Sequence, residues 1–113
     1  MNNAWVKSFP GALTVCNREG IILEMNDASV QMFQEDGGLK LIGKNLLDCH
    51  PEPARSQVEE MLRTQRPNTY TVEKRGKKKL IFQTPWYTEG VYEGFVELAL
   101  PIPFEMPHFK RKE

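Results

Sequence analysis

The chain has 113 residues, of which 40% are hydrophobic and 27% are charged, a composition typical of one soluble globular domain. Lysine and arginine together number 15, as do aspartate and glutamate, so no net charge would attract nucleic acid or an anionic membrane. The two cysteines make no disulfide framework, no apolar run reaches the ~18 residues of a membrane span, and no signal-peptide pattern is present. A reduced, cytoplasmic compartment is therefore expected.

The first half of the chain predicts a short hairpin followed by short helices. Residues 1–10 are expected to form a lead-in that packs an aromatic side chain onto the domain. Gly20 suits a tight turn between two strands because glycine tolerates positive φ, and Asn26 or Asp27 can cap the helix that follows. The predicted strands and helical pieces cover residues 12–17, 21–26, 28–33, 39–42 and 45–48.

The second half predicts one main helix and then three longer strands, over residues 52–64, 68–75, 79–87 and 92–100. Gly76 and Gly90 supply the turns between these strands. Pro85 lies late in its strand, which indicates an edge position or a bulge because proline cannot donate a hydrogen bond. The elements together predict an α+β fold: a five-stranded antiparallel sheet with short helices and one main helix covering one face.

This order of elements resembles the PAS domain family, the sensory-box module, over most of the chain. The first turn is similar to the family's D-x-x-G, and later segments are similar to its N-x-A…F helix, its I-G-K segment and its last strand. These matches are N-R-E-G at 17–20, N-D-A at 26–28 with M-F at 32–33, L-I-G-K-N-L at 41–46 and G-F-V-E-L at 94–98. The resemblance implies a lead-in over 1–10, a PAS domain over 11–103 and a proline-containing basic tail over 104–113. The prolines at 101, 103 and 107 disfavour the helical linker that often follows such domains.

The resemblance also implies a ligand pocket between sheet and helices, with the segment over residues 43–53 closing one wall. The candidate pocket residues are His50, Leu46, Tyr70, Phe82, Trp86, Phe95 and Glu97.

Three roles stay open for His50: axial ligand to a haem, another contact in the pocket, or a structural hydrogen bond. Leu46 occupies the position at which the family's flavin-binding light sensors carry a cysteine, so flavin adduct chemistry is not expected. Ligand identity is otherwise unknown from the sequence.

Glu97 is a carboxylate in an otherwise apolar strand, and two orientations are open for it. If Phe95, Glu97 and Ala99 face the pocket, as the resemblance implies, the carboxylate needs a partner, since burying a bare charge is costly. The candidate partners are a ligand donor, Arg55, Tyr70 and Tyr87. In the other orientation Glu97 faces solvent.

Apolar residues on both faces of the last strand indicate that both faces are covered. With Phe95 facing inward, the outer face of the sheet would present Ile81, Val96, Leu98 and Leu100, and a homodimer through this face is expected. Trp5 and the rest of the lead-in would add to that interface.

Basic residues cluster over 74–79 and 110–112, and these are expected to be a solvated hairpin tip and tail, with phosphate contact as the alternative.

Two functions follow, and neither is catalytic. The chain has no HExxH, no GxSxG and no phosphate-binding glycine loop, and the adjacent Cys49 and His50 make a poor catalytic dyad. The first hypothesis is a sensor that binds a small molecule or cofactor in the pocket and signals through dimer or partner contacts. The alternative is a ligand-free interaction module whose pocket is filled by its own side chains.

Overall fold

The computed structural model describes residues 4–113. Its elements in chain order are α1 (Ala4–Ser8), β1 (Ala12–Asn17), β2 (Ile22–Met25), α2 (Asp27–Met32), α3 (Ala54–Thr64), β3 (Asn68–Lys74), β4 (Lys77–Thr88) and β5 (Val91–Ile102). Short 3-10 turns lie between α2 and α3, at Gln34–Asp36, Gly38–Leu41 and Leu46–Cys49. None of the described helices is long and apolar enough to cross a membrane.

The five strands form one antiparallel sheet in the order β2-β1-β5-β4-β3, and the helices cover one face of it. The predicted fold is therefore confirmed. Two small clusters make up the core between the layers. Their buried members are Ala12, Ile81 and Ala99 in one, and Cys16, Leu62 and Phe95 in the other.

The side chain of Asn26 joins the first strand, α2 and the lead-in at one buried point. Only 5% of this residue is exposed. Its Oδ1 accepts from the backbone N–H of Ser29 at 3.1 Å, which is the predicted helix cap, and from that of Leu13 at 2.9 Å. Its Nδ2 donates to the carbonyls of Val6 at 3.0 Å and Gly11 at 2.9 Å. Nδ2 also lies 3.4 Å from the carbonyl oxygen of Phe9, so one amide group links five backbone groups of β1, α2 and the lead-in.

The hairpin between β4 and β5 contains a one-residue bulge close to its turn. Tyr87 stands opposite Tyr92, but the next residue of β4, Trp86, stands opposite Gly94. Glu93 is therefore the extra residue, and everything beyond it is shifted by one position. Because side chains alternate between the faces of a strand, this shift decides which residues of β4 face the helices.

Beyond the bulge, Ile81 pairs with Ala99 and faces the helices, where only 7% of it is exposed. Phe82 pairs with Leu98 and Trp86 with Gly94, so both aromatic rings lie on the outer face. The expectation that Ile81 lies on the outer face is wrong, as is the expectation that Phe82 and Trp86 face the pocket. In each case the physical reason is the one-residue shift.

Trp86 connects three strands across the outer face. Its indole Nε1 donates to the carbonyl of Cys16 in β1 at 3.0 Å, although β5 lies between the two strands. Opposite Trp86, Gly94 has a φ of +153°. A Cβ atom on Gly94 would meet the Cys16 carbonyl oxygen and would lie 2.7 Å from Asn17 Cα.

Pro85 lies one residue before Trp86, in the part of β4 that pairs with β5 alone. The pairing of β3 with β4 ends at Asn68 opposite Gln83, so the edge of β4 beyond Gln83 is free of β3. Proline is tolerated there because no ladder hydrogen bond is required of it. Of the two predicted alternatives, the edge position is therefore found.

The chain segments outside the sheet differ in how they pack. In the lead-in, Phe9 makes an edge-to-face contact with Trp5 and packs near Leu98 and Leu100 on the outer face. Trp5 itself stays 64% exposed. Residues 103–113 form no helix or strand, as the three prolines predict.

Candidate functional site

A cavity of about 840 Å³ lies between the inner face of the sheet and the helices. Its floor is formed by residues of all five strands, and its roof by α2, α3 and the 3-10 turns between them. The roof is apolar: its side chains include Met32, Phe33, Leu41, Leu46, Val58 and Met61. A cavity of this size and lining is typical of sites for small molecules.

Five of the predicted site residues line this cavity: His50, Leu46, Tyr70, Phe95 and Glu97. Phe82 and Trp86 do not, because they lie on the outer face of the sheet. In their place the inner face of β4 presents Ile81 and Gln83, which the sequence prediction missed. They could be identified only by knowing which face of β4 meets the helices, and that requires knowledge of the bulge at Glu93.

Glu97 faces the cavity and is held by a side-chain amide. Gln83 Nε2 donates to Glu97 Oε2 at 2.8 Å, and the two residues stand directly opposite each other in the sheet. The partial burial of Tyr70 raises the pKa of its phenol above the usual value, and the negative charge of Glu97 acts in the same direction. Arg55, a candidate partner for this carboxylate, instead forms ion pairs with Asp48 and Glu59.

His50 is half-buried and contributes its ring to the cavity wall. Its Nδ1 lies 2.7 Å from the carbonyl oxygen of Leu46. Since a carbonyl oxygen can only accept, Nδ1 carries the proton in this contact. Nε2 makes no hydrogen bond within residues 4–113, so it is free to accept one or to bind a metal.

The segment over residues 43–53 is positioned by the β1–β2 hairpin. Asn45 accepts from the N–H of Leu47 at 2.8 Å and donates to the carbonyl of Glu19 at 3.1 Å. The backbone N–H of Leu46 donates to the carbonyl of Gly20 at 2.8 Å. These bonds anchor the turn that carries Leu46 and His50, so the roof of the cavity is fixed to the far edge of the sheet.

Both cysteines line the cavity, but their surroundings differ. Cys16 is only 3% exposed, and burial raises the pKa of its thiol. A thiol in this environment stays protonated and unreactive at neutral pH. Cys49 is exposed at the surface. No group of three or more His, Cys, Asp or Glu side chains within the described part of the chain could hold a metal ion.

The comparisons with known proteins agree with this geometry. The family model described as "PAS fold" matches residues 6–75. No curated protein matches the chain in sequence.

Solved structures supply the remaining comparisons. A C-terminal domain from Streptococcus mutans superimposes with a TM-score of 0.69 at 21% identity, covering 85% of this chain and 78% of that one. The Aer2 receptor of Vibrio cholerae, described as a dual PAS-heme oxygen sensor, gives 0.59 at 22% identity, with coverages of 82% and 95%. A sensory box sensor histidine kinase of Vibrio cholerae gives 0.61 at 17% identity, with coverages of 88% and 87%. At these identities the structural likeness concerns the fold, and the family model covers more than half of the chain. The chain therefore belongs to the PAS fold family.

Proposed function

We propose that this chain is a non-catalytic sensor module that binds a small molecule in the cavity between its sheet and its helices. The observation that carries the proposal is the cavity itself, about 840 Å³ with an apolar roof and the Gln83–Glu97 pair on its floor. Such a combination suits a ligand with an apolar body, because a few fixed polar groups are enough to orient it. Catalysis is not proposed, since burial keeps the Cys16 thiol protonated and His50 already donates to a backbone carbonyl.

A signal requires that the ligand bind two conformations of the module unequally. The cavity touches α3 and the turn that carries His50, which are the roof elements a ligand would hold in place. On the floor, Cys16 and Phe95 lie next to the point where Trp86 bonds across the outer face. A change in cavity occupancy can therefore reach the outer face through β1 and β5.

Replacing Val72 with tryptophan is expected to reduce ligand retention about tenfold, because the indole would occupy the cavity beside Ile81. Val72 is 39% exposed, so the larger ring does not have to enter a packed core. The measurement is mass spectrometry of compounds extracted from the purified, denatured protein. Thr71→Trp is the matched control, since the neighbouring side chain of the same strand lies on the outer face. Equal retention in wild type and Val72→Trp, or no bound compound in the wild type, would contradict the proposal.

Haem is a second candidate occupant, and the geometry of His50 favours it. Histidines that bind metals usually donate their other ring N–H to a carbonyl group, as Nδ1 does to Leu46 here. A haem held by Nε2 would supply an iron centre whose reactivity is set by the polarity of the surrounding pocket. Adding haemin to the purified protein should then give a Soret band that is lost in His50→Ala and retained in His108→Ala. A spectrum identical to that of free haemin would rule out this candidate.

The outer face of the sheet is proposed as the output surface, through a homodimer. One row across the sheet is formed by Leu13, Leu98 and Phe82, and Val96 and Leu100 flank it on β5. Phe82 is 37% exposed although it is a large apolar side chain. Contiguous apolar surface is uncommon on monomeric proteins, and this row is the basis of the proposed interaction site. The same surface is available to the alternative function, a ligand-free interaction module.

Phe82→Glu is expected to shift the protein from dimer to monomer at micromolar concentration, because it places a charge in the apolar row. Sedimentation equilibrium over a dilution series measures the change. Leu39→Glu is the control, since Leu39 is a 63% exposed apolar residue in a 3-10 turn on the helical side. A wild-type protein that stays monomeric would contradict the dimer. A dimer without any bound compound would favour the interaction module over the sensor.

A further inference from the structure

Four basic residues border the cavity at the β3–β4 hairpin. They are Lys74, Arg75, Lys77 and Lys79. Lys74 and Lys77 stand directly opposite each other in the register, and Lys79 lies two positions further along the same face. Like charges placed opposite each other destabilise a strand pair. None of the four forms an ion pair with any side chain in the described part of the chain.

The other side of the same hairpin is arranged differently. Lys78 faces outward, stands opposite Glu73 and donates to the carbonyl of Phe104 at 3.4 Å. Because side chains alternate along a strand, the basic residues over 74–79 are divided between the outer face and the cavity side. Its outward lysine has an acidic neighbour and a hydrogen bond, whereas its cavity-side cations have neither. The tip is solvated as expected from sequence, since Lys74, Arg75 and Lys77 are exposed, whereas Lys79 is half-buried at the cavity.

The acidic residues that line the cavity do not neutralise this end. Asp36 lies in a 3-10 turn and forms no ion pair within residues 4–113. Glu97 lies opposite Gln83, six residues along β4 from Lys77, which corresponds to roughly 20 Å of extended strand. The cavity therefore has a cationic end at the hairpin and an anionic group in its middle, so its potential is strongly asymmetric.

Between these two positions the lining is apolar. Val72 and Ile81 form the floor between Lys79 and Gln83, and Met32 and Phe33 contribute to the roof. A ligand whose acidic group reached the lysines would thus place its remaining atoms against hydrocarbon and aromatic surface. A purely polar anion, such as inorganic phosphate, would leave that surface without a partner.

We infer that the cavity takes a small anionic amphiphile, with its carboxylate or phosphate head at Lys74, Lys77 and Lys79 and its apolar body over Val72 and Ile81. This inference rests on the proposed function, because it names the class of ligand for the same cavity. The head would supply the negative charge that the hairpin lacks, and each lysine can donate a charge-assisted hydrogen bond to it. Glu97 repels an anionic group placed away from the hairpin, so the ligand has one preferred direction.

Three probes that share a twelve-carbon chain separate charge from apolar contact: dodecanoate, dodecanol and dodecyltrimethylammonium, each below its micelle concentration. Isotope-labelled methionine methyl groups report the site by NMR, because Met25, Met32 and Met61 line the cavity and Met106 lies in the exposed tail. Dodecanoate is expected to shift the first three signals and to bind about tenfold more tightly than dodecanol at about 50 mM NaCl. This advantage should shrink at about 500 mM NaCl, because salt screens exposed charges.

The double variant Lys77→Gln/Lys79→Gln is expected to bind dodecanoate no more tightly than dodecanol. Its matched control is Lys78→Gln/Lys110→Gln, which removes the same charge away from the cavity and should retain the preference. Equal affinity of wild type for the acid and the alcohol, with shifts at the three cavity methionines, would overturn the inference and leave cavity binding intact. Unchanged affinity for dodecanoate in Lys77→Gln/Lys79→Gln would also overturn it. If no probe shifts the cavity methionines, the inference fails, and the Val72→Trp comparison decides separately whether the cavity holds any ligand.

Discussion

Gly94→Ala is expected to lower the free energy of unfolding by about 3 kcal/mol or more, because a methyl group there meets backbone rather than a movable side chain. The added Cβ would collide with the carbonyl oxygen of Cys16 and would lie 2.7 Å from Asn17 Cα. The φ of +153° is itself rarely adopted by residues with a side chain. Relief would require β1 and β5 to separate, and this would also break the bond from Trp86 to Cys16. Urea unfolding followed by circular dichroism measures the loss.

Gly90→Ala provides the control for this experiment. Gly90 also has a positive φ, +81°, but no atom lies within 4 Å of the position that its Cβ would occupy. Only the conformational cost remains, about 1 kcal/mol. If the two variants lose the same stability, close packing at Gly94 is not the reason for its effect.

Asn26→Ala is expected to destabilise the domain by about 3 kcal/mol, because it leaves several buried backbone groups without a hydrogen bond. The N–H groups of Leu13 and Ser29 lose their acceptor and the carbonyl of Gly11 loses its donor, whereas the carbonyl of Val6 keeps the N–H of Phe9 at 3.3 Å. Loss of a helix cap alone costs about 1 kcal/mol, so the larger expected value depends on the bonds to β1 and the lead-in.

Asn68→Ala tests whether that loss is specific to the buried position. Asn68 is exposed and makes one side-chain hydrogen bond, from Nδ2 to Gln83 Oε1 at 3.3 Å. Its replacement should change stability by less than about 0.5 kcal/mol. A loss below about 1 kcal/mol for Asn26→Ala would show that water replaces the amide, contrary to its 5% exposure.

Local signals in the sequence were sufficient for the elements and for their order. Asn26 as a cap, Gly20 in the first turn and Pro85 at a free edge each follow from the chemistry of one residue, and each is found in the structure. The inward orientation of Phe95 and Glu97 came from the family resemblance, and both side chains line the cavity. These features depend on short stretches of chain, so they can be predicted without knowledge of the tertiary structure.

The inner face of β4 could not be predicted in the same way. Both of its faces are apolar, so alternation alone gives two sets of residues without saying which one meets the helices. A hairpin continued from its turn without interruption would place Phe82 opposite Glu97 and Ile81 opposite Leu98. The bulge at Glu93 reverses that assignment, and its one local signal, Gly94 directly after it, does not fix which residue is the extra one. The register also decides which lysines of the β3–β4 hairpin face the cavity, so the cationic end of the cavity could not be predicted either.

The register of β4 also has an evolutionary consequence. Loss of the single codon for Tyr87, with the bulge at Glu93 retained, would place Phe82 opposite Glu97 and Leu80 opposite Ala99, so β4 would offer Leu80 and Phe82 to the ligand in place of Ile81 and Gln83. Phe82 would replace Gln83 as the neighbour of Glu97, and Lys77 and Lys79 would turn to the outer face in the same step. Ligand preference in such a domain can therefore change by insertion or deletion far from the ligand's own contacts, without a substitution at any residue that lines the cavity.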